Sequence, residues 1–332
     1  MSSRRVVAPL GWSVGWVWGL VVWCAAFVSS AGAAPVTFAE AKVALRQQVY
    51  FDRNQKEFGD LYCGCTWRWQ GRSGGRMELA SCGYAAGSQP QRARRMEYEH
   101  IVPAWTFGHQ RQCWQRGGRK QCEATDAVFR RMEADMHNLS PTIGEVNADR
   151  SHWPFGMVTQ SSRQYGACET RVDRRQRVVE PRDAVKGQVA RVSFYMSDRY
   201  GLTLSRQQQQ LFMAWHRQFP ASGWEIERDR RIARIMGHHK PFVTGAREWT
   251  LGYRPARDGV SAADRAQGEP VGPLSMAHAN SGNTVIGNAN SRVYHLPAGC
   301  PSYGSVSPRN QRRFESESAA QAAGFRKAGN CR

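Results

Sequence analysis

The sequence predicts a mixed α+β protein in which helices outweigh strands. Three observations lead there. Five segments between Thr37 and Met236 repeat apolar residues at helical spacing. A Gly- and Cys-rich stretch at 62–87 holds only short strand-like pieces. Cysteines behind an export leader offer covalent staples to a chain of short elements.

Taken in order, the N-terminus reads as that leader. Arg4 and Arg5 precede an uncharged apolar run from about Val14 to Val28, and the small residues Ala31-Gly32-Ala33-Ala34 follow. Cleavage after Ala33 makes residues 1–33 a signal peptide and keeps Pro35 out of the first mature position. The run is short for an uncleaved anchor, and Trp23 ahead of Cys24 is a poor lipoprotein signal. The protein is therefore expected in the periplasm or outside the cell, with no membrane attachment.

From Thr37 to about Tyr50, Phe38, Ala41, Val43, Ala44 and Val49 fit a helix. Strand-like pieces follow at Thr66–Trp69 and Met77–Leu79. Ala124 to Asn138 has helical spacing that Asn138-Leu139-Ser140-Pro141 should stop. Helices are also predicted over Asp183–Tyr200, over Ser205–Phe219, and over Trp224–Met236, where Glu225, Arg228 and Arg231 should form the wet side. Residues 254–285 are rich in Gly, Ala, Ser, Pro, Asp and Asn and read as a flexible linker between a main domain, 34–253, and a C-terminal module, 286–332.

Charge narrows the function. The 332 residues hold 46 Lys+Arg against 27 Asp+Glu, a formal net charge of +19, with Arg well ahead of Lys. Arg offers a planar fork that suits phosphate, so the balance predicts a polyanionic partner held through phosphates, DNA first and RNA second. Of the eight cysteines left after leader removal, Cys113 and Cys122 bracket a basic loop that their pairing would staple. Cys63, Cys65, Cys82 and Cys168 allow three pairings that sequence leaves open.

The chemistry centres on Glu97-Tyr98-Glu99-His100-Ile101-Val102-Pro103. Pro103 cannot donate to a sheet ladder, so the strand should end and leave His100 at its rim. Downstream, Asn147 supplies a hard oxygen ligand, Asp149-Arg150 a phosphate clamp, and Asn138 a hydrogen-bonding brace for a loop. A neutral imidazole beside hard oxygen ligands is what one-metal phosphodiester hydrolysis needs.

These segments, with Phe107-Gly108-His109-Gln110-Arg111-Gln112-Cys113-Trp114, Gly117-Gly118-Arg119-Lys120, Asp135-Met136-His137-Asn138-Leu139 and Ile143 to Ser151, resemble the bacterial endonuclease I family of nonspecific nucleases. The likeness spans roughly residues 37–245, with a local departure at Gly237-His238-His239-Lys240. It implies a ββα-metal (His-Me finger) core, built on a small two-stranded sheet and a helix within a mainly helical, disulfide-stapled domain. By the same resemblance His100 is the general base, Glu99 and Asn147 ligate one Mg²⁺ (with Mn²⁺ able to substitute), and Arg119 contacts phosphate. Glu133 lies near the site and orients it, while His109 and His137 are structural. The products would carry 5′-phosphate ends and the enzyme would be a monomer.

The tail resembles the zinc-binding module of the Ada methylphosphotriester repair protein. His295, Cys300 and Cys331 fall at three ligand positions and Ala328 at the fourth. Two outcomes stay open there, a zinc ion or a Cys300–Cys331 disulfide. Against the nuclease stand a non-catalytic secreted nucleic-acid-binding protein, which predicts loss of Glu99, His100 or Asn147, and a metal hydrolase of another polymer, which has no need of the arginine excess.

Overall fold

A computed structural model describes residue 1, residues 34–159 and 164–260, and, towards the C-terminus, residues 285–297, 300, 302–307, 310–314, 316–329 and 331. The expected leader, Met1 apart, and residues 261–284 of the expected linker lie outside the described residues. The chain divides into two compact units, Met1–Pro270 and Val271–Arg332.

In the first unit, helix α1 (Phe38–Ala44) opens on a capping box. Thr37 Oγ1 accepts from the Glu40 amide at 3.2 Å, and the Glu40 carboxylate accepts from the Thr37 amide at 3.3 Å. The helix continues as a π turn over Leu45–Val49 and buries Ala41, Leu45 and Val49. An antiparallel sheet follows, formed by β1 (Trp67–Gln70), β2 (Gly74–Met77), β3 (Arg95–His100) and β4 (Leu139–Ile143) in that spatial order. It has four strands where the sequence led us to expect two. The unforeseen strand partner is β4, which forms from the Leu139-Ser140-Pro141 run expected only to stop a helix. Pro141 forces the preceding residue into extended backbone and, lacking a donor, sits without cost on the sheet's outermost strand.

Helices α2 (Pro90–Ala93), α3 (Ala104–Gly108), α4 (Gln112–Thr125), α5 (Ala127–Glu133) and α6 (Gly144–Arg150) surround this sheet in sequence. The predicted helix over Ala124–Asn138 is thus shorter, ending at Glu133 before a 3₁₀ turn at Met136–Asn138. A hairpin, β5 (Arg171–Asp173) and β6 (Val178–Glu180), leads to α7 (Asp183–Tyr200), α8 (Arg206–Gln218), α9 (Gly223–Met236) and α10 (Pro241–Thr244). The three long helices match their predicted spans closely.

Two of the three residues predicted for the wet side of α9 are buried, while Arg231 stays partly exposed. Glu225 and Arg228 are 2% and 0% exposed. Glu225 receives Arg191 of α7 at 2.5 and 2.9 Å, and Arg228 donates to Tyr50 Oη at 2.6 Å and to the Met136 carbonyl at 2.9 Å. Charged residue types suggested a solvated face; partners distant in sequence made it an interior one.

Residues 254–260, the start of the expected linker, are tied to the end of α7. The Ala256 and Arg257 amides donate to the Asp198 carboxylate and carbonyl at 2.8 and 2.7 Å. The second unit is a sheet of β7 (Val285–Asn288), β8 (Val293–His295), β9 (Gln311–Phe314) and β10 (Arg326–Lys327), ordered β10-β8-β7-β9, with α11 (Glu317–Ala322). Val285, Tyr294, Ala320 and Phe325 form its small core.

Four disulfides resolve the pairings: Cys63–Cys168, Cys65–Cys82, Cys113–Cys122 and Cys300–Cys331. Among the described residues no helix is long and apolar enough to cross a membrane.

Candidate active site

Strand β3 ends at His100, as Pro103 requires, and Asn138 braces the loop beyond. Its Oδ1 accepts from the Val102 amide at 2.7 Å and its Nδ2 donates to the Val102 carbonyl at 2.9 Å. Alternation along the strand places Glu97 and Glu99 on one face. Directly after β4, α6 starts at Gly144. A Cβ there would lie 2.6 Å from the Arg92 carbonyl oxygen and 2.9 Å from Glu97 Oε1, so only glycine lets the helix come this close. The approach brings Asn147 Nδ2 to 3.0 Å from Glu97 Oε2, which turns the amide so that Oδ1 has no hydrogen bond among the described residues.

Glu99 is 3% exposed. Tyr62 donates to its Oε1 at 2.6 Å, and Arg150 Nη1 lies 3.0 Å from the same oxygen, which leaves Oε2 without a partner among the described residues. Burial raises the Glu99 pKa above its ordinary value, against the opposing pull of Arg150. Two hard oxygens, Glu99 Oε2 and Asn147 Oδ1, therefore line one cleft unsatisfied, a donor set that fits a hydrated Mg²⁺.

The His100 ring is packed by Phe38 (centroids 4.7 Å apart) and Phe107 (6.1 Å). Its Nε2 stands 2.8 Å from the Glu133 carbonyl. A carbonyl only accepts, so Nε2 carries the hydrogen and Nδ1 the free lone pair. Burial first, and the Arg119 charge second, hold its pKa down to about 3, so the imidazole is neutral. Arg119 follows a break in α4 at Gly117 and Gly118, where Gly118 has φ 70° and ψ −156°, a conformation for which a side chain is poorly suited. The Arg119 Nε donates to Glu133 Oε1 at 2.6 Å, and its guanidinium lies 5.4 Å from the Phe38 ring centre. Glu133 thus touches both residues, the base through its backbone and the cation through its carboxylate. The cleft holds about 520 Å³, and Lys42, Arg92 and Arg95 add positive charge to its walls.

A family model described as Endonuclease I matches residues 37–247. The chain belongs to the endonuclease I family. Its curated relatives include an extracellular deoxyribonuclease of Aeromonas hydrophila, 52% identical over 184 residues, covering 55% of this chain and 80% of that protein. A periplasmic deoxyribonuclease of the same species is 50% identical over 184 residues, 55% of this chain and 77% of its own. Endonuclease-1 of Buchnera aphidicola subsp. Acyrthosiphon pisum (strain APS) is 43% identical over 185 residues, 56% and 73%. By family, then, the chain is a nuclease.

Within this endonuclease I member the sequence-predicted residues His100, Glu99, Asn147 and Arg119 line one cleft, with Glu133 behind it. Others moved. Arg150 is no phosphate clamp: it is 1% exposed and donates to the carbonyls of His100 and Ile101 at 3.0 and 2.6 Å. Asp149 accepts from Tyr165 at 2.6 Å and pairs with Arg174 at 2.7 Å. The Cys113–Cys122 bridge closes a broken helix where a basic loop was expected. His137 is buried and lies 3.0 Å from the His238 carbonyl. In the second unit His295, Cys300 and Cys331 come within 4.8 Å of one another, but the two sulfurs are bonded to each other. That leaves one histidine nitrogen, too few donors for zinc in the oxidised protein.

Sequence reasoning missed Phe38, Lys42 and Tyr62. Tyr62 had one usable signal, its place beside Cys63. The Cys63–Cys168 bond and the 2.6 Å hydrogen bond from Thr170 to the Tyr62 carbonyl fix its backbone, and hence its hydroxyl against Glu99. A Cys63→Ser/Cys168→Ser protein should lose about 3–5 kcal/mol of stability, the range for opening a long loop. Urea unfolding, followed beside nuclease activity, checks this; unchanged stability would mean the bond is incidental.

Proposed function

We propose a secreted or periplasmic endonuclease that hydrolyses DNA, and RNA by the same route, to 5′-phosphate ends, using one Mg²⁺ for which Mn²⁺ can substitute. One observation supports it most: the His100 imidazole is held neutral, its Nε2 occupied by the Glu133 carbonyl and its Nδ1 free, in the same cleft as two unsatisfied hard oxygens. The names of the relatives, extracellular and periplasmic deoxyribonucleases, point to the same compartment and substrate.

In this reading β3, β4 and α6 are the ββα-metal unit. His100 Nδ1 takes a proton from water, whose oxygen forms a bond to phosphorus as the bond to the 3′ oxygen breaks. Glu99 Oε2 and Asn147 Oδ1 would hold the ion, which when bound offsets charge on the phosphoryl group and the departing oxygen. Arg119 contacts a non-bridging phosphate oxygen, and Glu133 fixes Arg119 and His100 relative to each other. Residues 1–33 are the leader, residues after 260 link a monomeric catalytic domain to the C-terminal module, and the Cys300–Cys331 bond holds that module without zinc.

Supercoiled plasmid tests the reading. The oxidised mature protein should nick it with Mg²⁺ or Mn²⁺, and EDTA should abolish nicking until metal is restored. Cutting that persists in EDTA would reject the ion, and tight binding without cutting would reject the enzyme.

A further inference from the structure

At the mouth of the cleft three rings form a column. Trp105, on α3, is 40% exposed although it is a large aromatic. The His109 ring stacks on one face at 3.8 Å and 2°, and the His152 ring on the other at 4.5 Å and 28°. Trp105 and His152 both line the cavity that holds His100 and Asn147. The column's two supports leave the site from opposite ends: α3 starts four residues after His100, and His152 follows the last turn of α6, five residues after Asn147. The residue before it, Ser151, is a non-glycine at φ 54°, a strained conformation that sets the direction in which His152 leaves the helix. Its hydroxyl lies 3.2 Å from His152 Nδ1. His109 is fixed in turn by the Trp105 carbonyl, 2.8 Å from its Nδ1. Nothing in the hydrolysis described above uses these rings.

We infer that the column is a stacking subsite for an unpaired nucleobase adjoining the phosphodiester to be cut, with the outer face of exposed His152 as the landing surface. The inference rests on the nuclease reading and deepens it. An aromatic column open at one end continues naturally into a purine or pyrimidine, because every base offers a π face whatever its sequence. It also separates two recognition tasks. The cations of the cleft hold the backbone, and the column holds the base beside it, which favours single-stranded or frayed substrate over intact duplex.

The test compares polymers equal in phosphate and unequal in bases. In an uncleaving His100→Ala background, oligothymidylate of twelve units and a twelve-unit abasic tetrahydrofuran phosphate polymer carry the same charge, so the counterion contribution cancels. The thymidylate should bind roughly tenfold tighter, the size expected from stacking one base. Adding His152→Ala should erase that margin, and His152→Phe, which restores an aromatic face, should recover it. Because His152 is exposed, the alanine variant keeps its fold. A margin that survives His152→Ala, or that is missing from the start, overturns the stacking subsite while leaving the nuclease intact. Failure of both polymers to bind at all would overturn both.

Discussion

Replacing His100 by alanine should lower the rate of plasmid nicking by about 10²–10⁴-fold, the usual contribution of a positioned general base. The loss should fall on kcat, with KM little changed, because in the mechanism proposed above the ring meets the attacking water and leaves phosphate binding to the surrounding cations. Folding should survive. The ring does pack between Phe38 and Phe107, so some stability is lost, but the strand-end geometry is held independently by Asn138 and Arg150. Removing the ring leaves a hole of its own shape at the cleft, and added imidazole should restore part of the rate. A variant as active as the parent, or one whose whole deficit lies in KM, would show that another group takes the proton.

The second large effect should come from Arg150→Ala, at a residue almost wholly buried at the back of the cleft. Its guanidinium lies 3.0 Å from Glu99 and donates to two carbonyls of the chain leaving β3. Truncation strands a buried carboxylate and two buried acceptors at once. The expected cost is about 3–5 kcal/mol, or about a 10 °C fall in Tm for a domain of this size. Activity should fall as well, since Glu99 loses the cation opposing its protonation. Lysine should not rescue, as one ammonium cannot span three acceptors in the fork geometry. Thermal unfolding of the two variants decides the matter, and a shift of under about 2 °C would contradict the role.

Much of this was legible in the sequence because it is local. The long helices α7, α8 and α9 announce themselves by spacing, and Ser205 and Ser222 cap the last two. His100 at a strand end follows from Pro103 alone. What could not be read depends on partners far along the chain. Arg150 and the Glu225–Arg228 face of α9 look like surface charges until Glu99, Arg191 and Tyr50 are brought against them. Strand β4 was hidden because Pro141 signals a stop, and only pairing with β3 gives that extended run a place. Phe38 lies 62 positions from the ring it packs, and no periodicity connects them.

The bond between Cys63 and Cys168 has a consequence for the cell that makes the protein. A nuclease endangers the DNA of its own producer, and ribosomes deliver this one into a reducing compartment. Thiols stay apart there, so the segment that presents Tyr62 to Glu99 is held only by hydrogen bonds such as that from Thr170. Export changes the redox surroundings and adds the covalent tie in one event. The place where the chain is oxidised thus decides when its longest cross-link closes.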